Sequence, residues 1–157
     1  MTENVQTQEM KVIVFQLEDE SYGVPVNQVK SIERMQAITR VPKAPTFVKG
    51  VINMRGVITP IIALRSRFDL EEVPHTDKTR MIIVSVGQME VGLIVDAAND
   101  VIDIPLQAIE PPPSVVGVVE RDYLNGVAKL EDRLLILLNL DKVLNESEVN
   151  SLKKLDE

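Results

Sequence analysis

Residues 50–64 read GVINMRGVITPIIAL, and residues 126–140 read GVAKLEDRLLILLNL. Each runs from Gly-Val to a terminal leucine, and each has a charged break near its middle. A buried arginine without a partner is costly, so Arg55 in the first run marks a turn between two strand segments rather than a core position. Gly56 behind it suits a hairpin turn that needs positive φ, and a charged side chain beside such a turn reaches solvent. Pro60, inside the second segment, points to an edge strand or a bulge.

The likeness extends upstream. Sliding residues 11–27 by 69 positions lays KVIVFQL and YGVPVN on RMIIVSV and VGLIVD, so that Gly23 meets Gly92, Val26 meets Val95 and Asn27 meets Asp96. Between residues 50–64 and 126–140 the offset is 76, which implies a seven-residue insertion in the second copy, near the proline-rich stretch PPPS (111–114). Matched order across two segments indicates two related units of about 60 residues each.

Apolar, β-branched runs separated by turn residues predict strands at KVIVFQL (11–17), YGVPV (22–26), AITRVP (37–42) and FVKGVIN (47–53), the last two around the PKAP loop. RMIIVSV (80–86) and MEVGLIV (89–95) form a hairpin pattern turning at Gly87-Gln88, and YLNGVAKL (123–130) with LLILLNL (134–140) forms another around EDR. Asn27 is placed to cap a short helix, QVKSIER, with Val29 and Ile32 on one face. SEVNSLKKL puts Val149, Leu152 and Leu155 at helical spacing after Ser147.

The expected architecture is therefore mainly β: two small barrels of about residues 11–72 and 78–145, with strands at the boundary open to exchange. The boundary falls in DLEEVPHTDK (69–78). Residues 1–10 are expected to be a disordered tail and 146–157 a helical one.

The formal charge of −7 and pI near 4.8 make duplex nucleic acid and anionic membrane surfaces poor partners. With no cysteine and no tryptophan, thiol chemistry, zinc–thiolate sites and stacking platforms for single strands are excluded. The N-terminus has no signal-peptide pattern, and no apolar run approaches the ~20 residues of a membrane span. A cytoplasmic protein without direct membrane insertion is expected.

Chemistry is hard to find. His75, the single histidine, lies among turn formers. Asp96, Asp100 and Asp103 could assemble a divalent metal site, and a small metal-assisted hydrolase is the alternative that they allow. Turn and cap aspartates account for them equally well. No phosphate-binding glycine loop is present. Surface recognition remains, with Val29, Met54, Met81 and Val101 as partly exposed apolar contacts, or else as core.

FVKGVINMRGVITPIIALRSRF (47–68) resembles the CheW family of chemotaxis coupling proteins. The likeness continues through VGLIVDAANDV (91–101), YLNGVAKLEDRLLILLNLDKVL (123–144) and Tyr22-Gly23, and covers about residues 11–145. Glu131 stands where the family's second turn has glycine. The resemblance implies two five-stranded SH3-like β-barrels around an apolar interface, no catalysis and no cofactor or metal. It implies an adaptor that joins the cytoplasmic tips of methyl-accepting chemoreceptors to the regulatory domain of the histidine kinase CheA. Carried over by position, Val29, Gly50, Asn53, Arg55, Gly56, Met81 and Val101 fall where the family makes receptor or kinase contacts. Met54 and Met81 replace leucine and valine common in the family. At 157 residues the chain has no room for kinase catalytic domains or a receiver domain, so a free-standing coupler is expected.

Overall fold

The computed structural model describes residues 8–111, 115–116, 119–120, 123–131 and 133–144. Residues 1–7 of the expected N-terminal tail, and the C-terminal helix wholly, fall outside these residues, whereas Glu9 and Met10, expected in the disordered tail, open the first strand.

Within the described residues lie thirteen strands and two short helices: β1 (Glu9–Leu17), β2 (Glu20–Pro25), β3 (Val29–Arg34), β4 (Val48–Met54), β5 (Val57–Ala63), α1 (Leu64–Arg67), β6 (Arg80–Val86), β7 (Met89–Val95), β8 (Ala97–Pro105), β9 (Ile109–Glu110), β10 (Val115–Val116), β11 (Val119–Glu120), β12 (Leu124–Lys129), β13 (Leu134–Leu138) and α2 (Leu140–Val143). A six-stranded sheet has the order β8-β1-β2-β13-β12-β9, and a five-stranded sheet has the order β3-β6-β7-β5-β4. The mainly β expectation with two SH3-like subdomains holds.

The duplication is written into the register. Ile61 pairs with Gly92 in one sheet and Leu137 with Gly23 in the other, both in parallel. Bulges fall at Val48/Gly50 and at Leu124/Gly126, again 76 residues apart. The barrels, however, do not coincide with the repeats. The hairpin β1–β2 of the first repeat pairs with β8 and β13 of the second, while β6–β7 of the second pairs with β3 and β5 of the first. Each sheet therefore takes one hairpin from each repeat.

This exchange explains why the hairpin strands read as continuous apolar runs: both of their faces are buried. Ile13, Phe15 and Leu17 of β1 join a large cluster between the sheets, while Val12 and Val14 face a smaller one with Leu135 and Leu137. In β6, Ile82, Val84 and Val86 enter the same shared cluster, and Met81 and Ile83 face the other barrel's interior with Ile61 and Ile94. Alternation at period two thus feeds a barrel core on one side and the common seam on the other.

Phe15, Tyr22, Phe47 and Phe68 lie in the seam, with Tyr123 packed against it; they are all the aromatic residues in the chain. Phe15, Tyr22, Phe68 and Tyr123 stack in series at centroid separations of 5.7, 6.2 and 5.6 Å. Burial, reinforced by Glu20 and Glu18, pushes the Tyr22 hydroxyl up to about 12, so the ring stays neutral. Arg67 lies over Phe47 and Tyr123 at 4.8 and 5.2 Å and donates through Nε to the Val143 carbonyl at 2.7 Å. It ties α1 of the first repeat to the end of the second.

Three local expectations are corrected. QVKSIER is not a helix: Val26–Gln28 is a single 3-10 turn and β3 follows it. Lys30, Ile32 and Arg34 point outward while Val29, Ser31 and Glu33 turn inward, and pairing with β6 decides the conformation. AITRVP contributes only an isolated bridge between Thr39 and Val51, because Pro42 and Pro45 deny the ladder its donors. Pro60 sits in an interior strand, one residue before the run that pairs with β7; it faces Val51, and the bulge in β4 lies opposite Ile61 and Ile62.

Candidate partner interface

β4 and β5 are joined by two residues, Arg55 at φ +54° and Gly56 at φ +89°. Two left-handed residues form the type I′ turn whose twist matches a hairpin. Gly56 adopts this freely, whereas for Arg55 it costs about 1–2 kcal/mol. Asn53 Oδ1 accepts a hydrogen bond from the Gly56 amide at 2.7 Å and holds the turn shut. Asn53 and Gly56 thus build the tip, and Arg55 is what the tip displays.

The Arg55 side chain is 74 % exposed, with Nη2 3.6 Å from Glu33 Oε2 of β3 and Nη1 3.6 Å from the Met54 sulfur. An exposed pair of this kind contributes at most about 1 kcal/mol, so the guanidinium is free to change partners. Val57 and Ile58 follow it at 50 % and 40 % exposure. Ile32, next to Glu33 on β3, is 42 % exposed. An arginine set among exposed aliphatic side chains on a rigid hairpin has the composition of a protein-binding surface.

The other barrel repeats part of this. Val101 on β8, 69 residues after Ile32, is 52 % exposed, and Leu134 on β13, 76 residues after Ile58, is 54 % exposed. Val101, Arg55, Asn53 and Gly56 are therefore surface residues. The remaining expected contacts are not: Met81 is wholly buried and Met54 nearly so, both in the core of their barrel. Val29 is half-buried against the seam.

Gly50 is buried too, at φ +144°, where an added Cβ would lie 2.1 Å from the Thr39 carbonyl oxygen. These residues support the surface from beneath. Sequence reasoning missed Ile32, Ile58 and Leu134, whose apolar character gives no sign of exposure.

The three aspartates do not converge. Asp103 pairs with Lys11 at 3.5 Å, and Asp96 is turned toward Arg65. Among the described residues no group of three acidic or histidine side chains is placed to hold a metal ion. His75 is exposed in the connection between α1 and β6.

Arg65 was not anticipated as a junction. Its Nε and Nη2 donate to the two Asp96 carboxylate oxygens at 2.9 and 2.6 Å, and its Nη1 donates to Glu18 Oε2 and the Glu71 carbonyl, each at 2.8 Å. The Glu18 amide donates to Asp96 Oδ2 at 2.9 Å. Burial alone would raise the Asp96 carboxyl, but the Arg65 guanidinium and the Glu18 amide outweigh it and hold the group below its ordinary value. The Asp96 hydrogen bonds above all raise Arg65, which stays charged. The network fastens α1 and the β1–β2 turn to the β7–β8 crossover, where the chain passes from the five-stranded sheet to the six-stranded one.

Comparison with known proteins agrees with this architecture. The CheW-like domain family matches residues 11–148. The chain is 43% identical over 151 residues to chemotaxis protein CheW of Bacillus subtilis (strain 168), covering 96% of each chain. It is 36% identical over 137 residues to chemotaxis protein CheW of Klebsiella aerogenes, covering 87% of this chain and 82% of that one. The crystal structure of scaffolding protein TtCheW from Thermoanaerobacter tengcongensis superposes with a TM-score of 0.83 at 35% identity, covering 90% of this chain and 96% of that one.

Proposed function

The chain belongs to the CheW-like domain family, and from that premise we propose that it is a non-enzymatic chemotaxis adaptor that couples methyl-accepting chemoreceptors to the histidine kinase CheA. It acts in the cytoplasm and reaches membrane-associated receptor clusters only through these partners. The receptor tip packs against the barrel that carries Arg55, and the kinase regulatory domain uses the flanking barrel surfaces.

The observation that carries this reading is the β4–β5 tip. A strained two-residue turn presents an exposed arginine beside Val57 and Ile58, and a backbone cost of that kind is retained where it aims a side chain. Two barrels that display equivalent aliphatic positions on separate surfaces also suit a protein that holds two partners together. The relatives' names, chemotaxis protein and scaffolding protein, support the same role.

Co-sedimentation of receptor-containing membranes with CheA tests it. The expected result is that CheA sediments with the membranes only when this chain is added, and that receptor ligand then changes kinase turnover. Recruitment and control that are the same without the chain would contradict the proposal.

A further inference from the structure

Between Glu33 and Asp69 the sequence contains no carboxylate, although the chain as a whole carries a net charge of −7. Most cations in this stretch are engaged: Arg55 with Glu33, Arg65 with Asp96 and Glu18, and Lys49 with Glu72. Arg67 is held between two rings. Arg40 and Lys43 are exposed and form no ion pair among the described residues.

Both belong to the wall formed by residues 40–46 of an open groove of about 920 Å³, whose lining also includes Val48, Ile94, Glu72 and His75. That wall is stiff. Thr39 exchanges two backbone hydrogen bonds with Val51 at 2.9 and 2.8 Å, and the Val48 amide donates to the Pro45 carbonyl at 2.9 Å. Lys43 lies between Pro42 and Pro45 with φ +65°, so the backbone that carries it is set before anything binds, which lowers the ordering cost of association.

The groove already holds one carboxylate: Glu72 Oε1 lies 2.5 Å from Lys49 Nζ. Nor does the fold require the positive charge. The equivalent stretch of the second repeat, residues 111–125, carries Glu120 and Asp122 against a single Arg121.

We propose that this groove binds an extended acidic segment of a partner protein, with its carboxylates on Arg40, Lys43 and Lys49 and an apolar side chain over Val48 and Ile94. Glu72 is then the internal competitor that such a segment displaces. The proposal does not depend on which proteins the adaptor couples.

The test is fluorescence anisotropy of a labelled ten-residue peptide of alternating glutamate and leucine, titrated with the full chain. Saturable binding is expected. Arg40→Glu combined with Lys43→Glu should weaken it at least tenfold at an unchanged melting temperature. Glu72→Gln, which releases Lys49, should tighten it severalfold, and Arg34→Glu, a charge reversal outside the groove, should leave it within twofold. Absence of saturation at millimolar chain, equal weakening by Arg34→Glu, or equal affinity for a single-stranded oligonucleotide of matched charge would each overturn the proposal.

Discussion

The two hairpin tips occupy equivalent places and are built differently. β4 and β5 turn on Arg55 and Gly56, both left-handed, and the tip displays a guanidinium. β12 and β13 turn over a longer connection in which the Leu130 amide donates to the Arg133 carbonyl at 2.9 Å, and the neighbouring Lys129 pairs with Glu110 at 3.1 Å. Beneath both tips the strands match in register and bulge position. The two halves thus agree where strands must close on one another and differ where the molecule meets solvent. Surface chemistry could diverge because the exchanged hairpins and the seam carry the fold.

The exchange makes the sharpest demand on this picture. Each sheet needs strands from both repeats, so residues 1–72 and 73–157 expressed separately are expected to lack stable structure alone and to regain strand signal in circular dichroism when mixed. The intact chain should unfold in one transition. A fragment that folds alone, or two well-separated transitions, would break the account of interlocked repeats.

Paired glycine substitutions compare the repeats directly. A Cβ at Gly50 would lie 2.1 Å from a backbone oxygen at positive φ, whereas at Gly126 the nearest approach is 2.8 Å and φ is ordinary. Gly50→Ala should cost at least about 3 kcal/mol, and Gly126→Ala about 1–2 kcal/mol. Urea unfolding measures both, and equal losses would mean that the equivalent bulges tolerate the same backbone.

A smaller effect separates the two crossovers. Asp96 is fastened to Arg65, while the equivalent position of the first repeat is Asn27 and that of Arg65 is Asp141. Asp141 there serves α2, its amide donating to Asn139 Oδ1 at 3.1 Å. Asp96→Asn should cost about 2 kcal/mol at neutral pH. The folded carboxyl is held below its ordinary 3.8, so its contribution is complete above that value and is lost as pH falls through the lower folded one. The gap between wild type and variant should therefore be wide at pH 7 and close in acid below pH 3.8. A gap unchanged by pH would remove the ionic reading of this junction.

Much of this was legible in the sequence, and the rest was hidden for physical reasons. The duplication showed in the matched glycines and apolar runs, because the close approaches at Gly23 and Gly92 and the two-sided burial of the hairpins restrict composition. The exchange of hairpins did not show: a run with both faces buried has no period that names its partner. QVKSIER misled because Val29 and Ile32 satisfy helical spacing, while the alternation that matters, Ser31 and Glu33 inward, involves polar side chains. Arg55-Gly56 was readable as a turn from chemistry alone. Gly50 and Met81 were read as contacts, yet both lie inside, since apolar and glycine positions look alike whether they meet a partner or the core.

The central claim is that Arg55 is displayed by the frame without supporting it, and one variant tests this most directly. Arg55→Ala loses an exposed pair with Glu33 and a long contact to the Met54 sulfur, so stability should change by no more than about 0.5 kcal/mol. Its affinity for a soluble receptor-tip fragment should fall about thirtyfold, the equivalent of about 2 kcal/mol, with binary CheA binding unchanged. Measured by calorimetry on the same preparations, unchanged receptor affinity would reduce Arg55 to an ordinary turn residue, and a large fall in melting temperature would show that the tip is part of the frame.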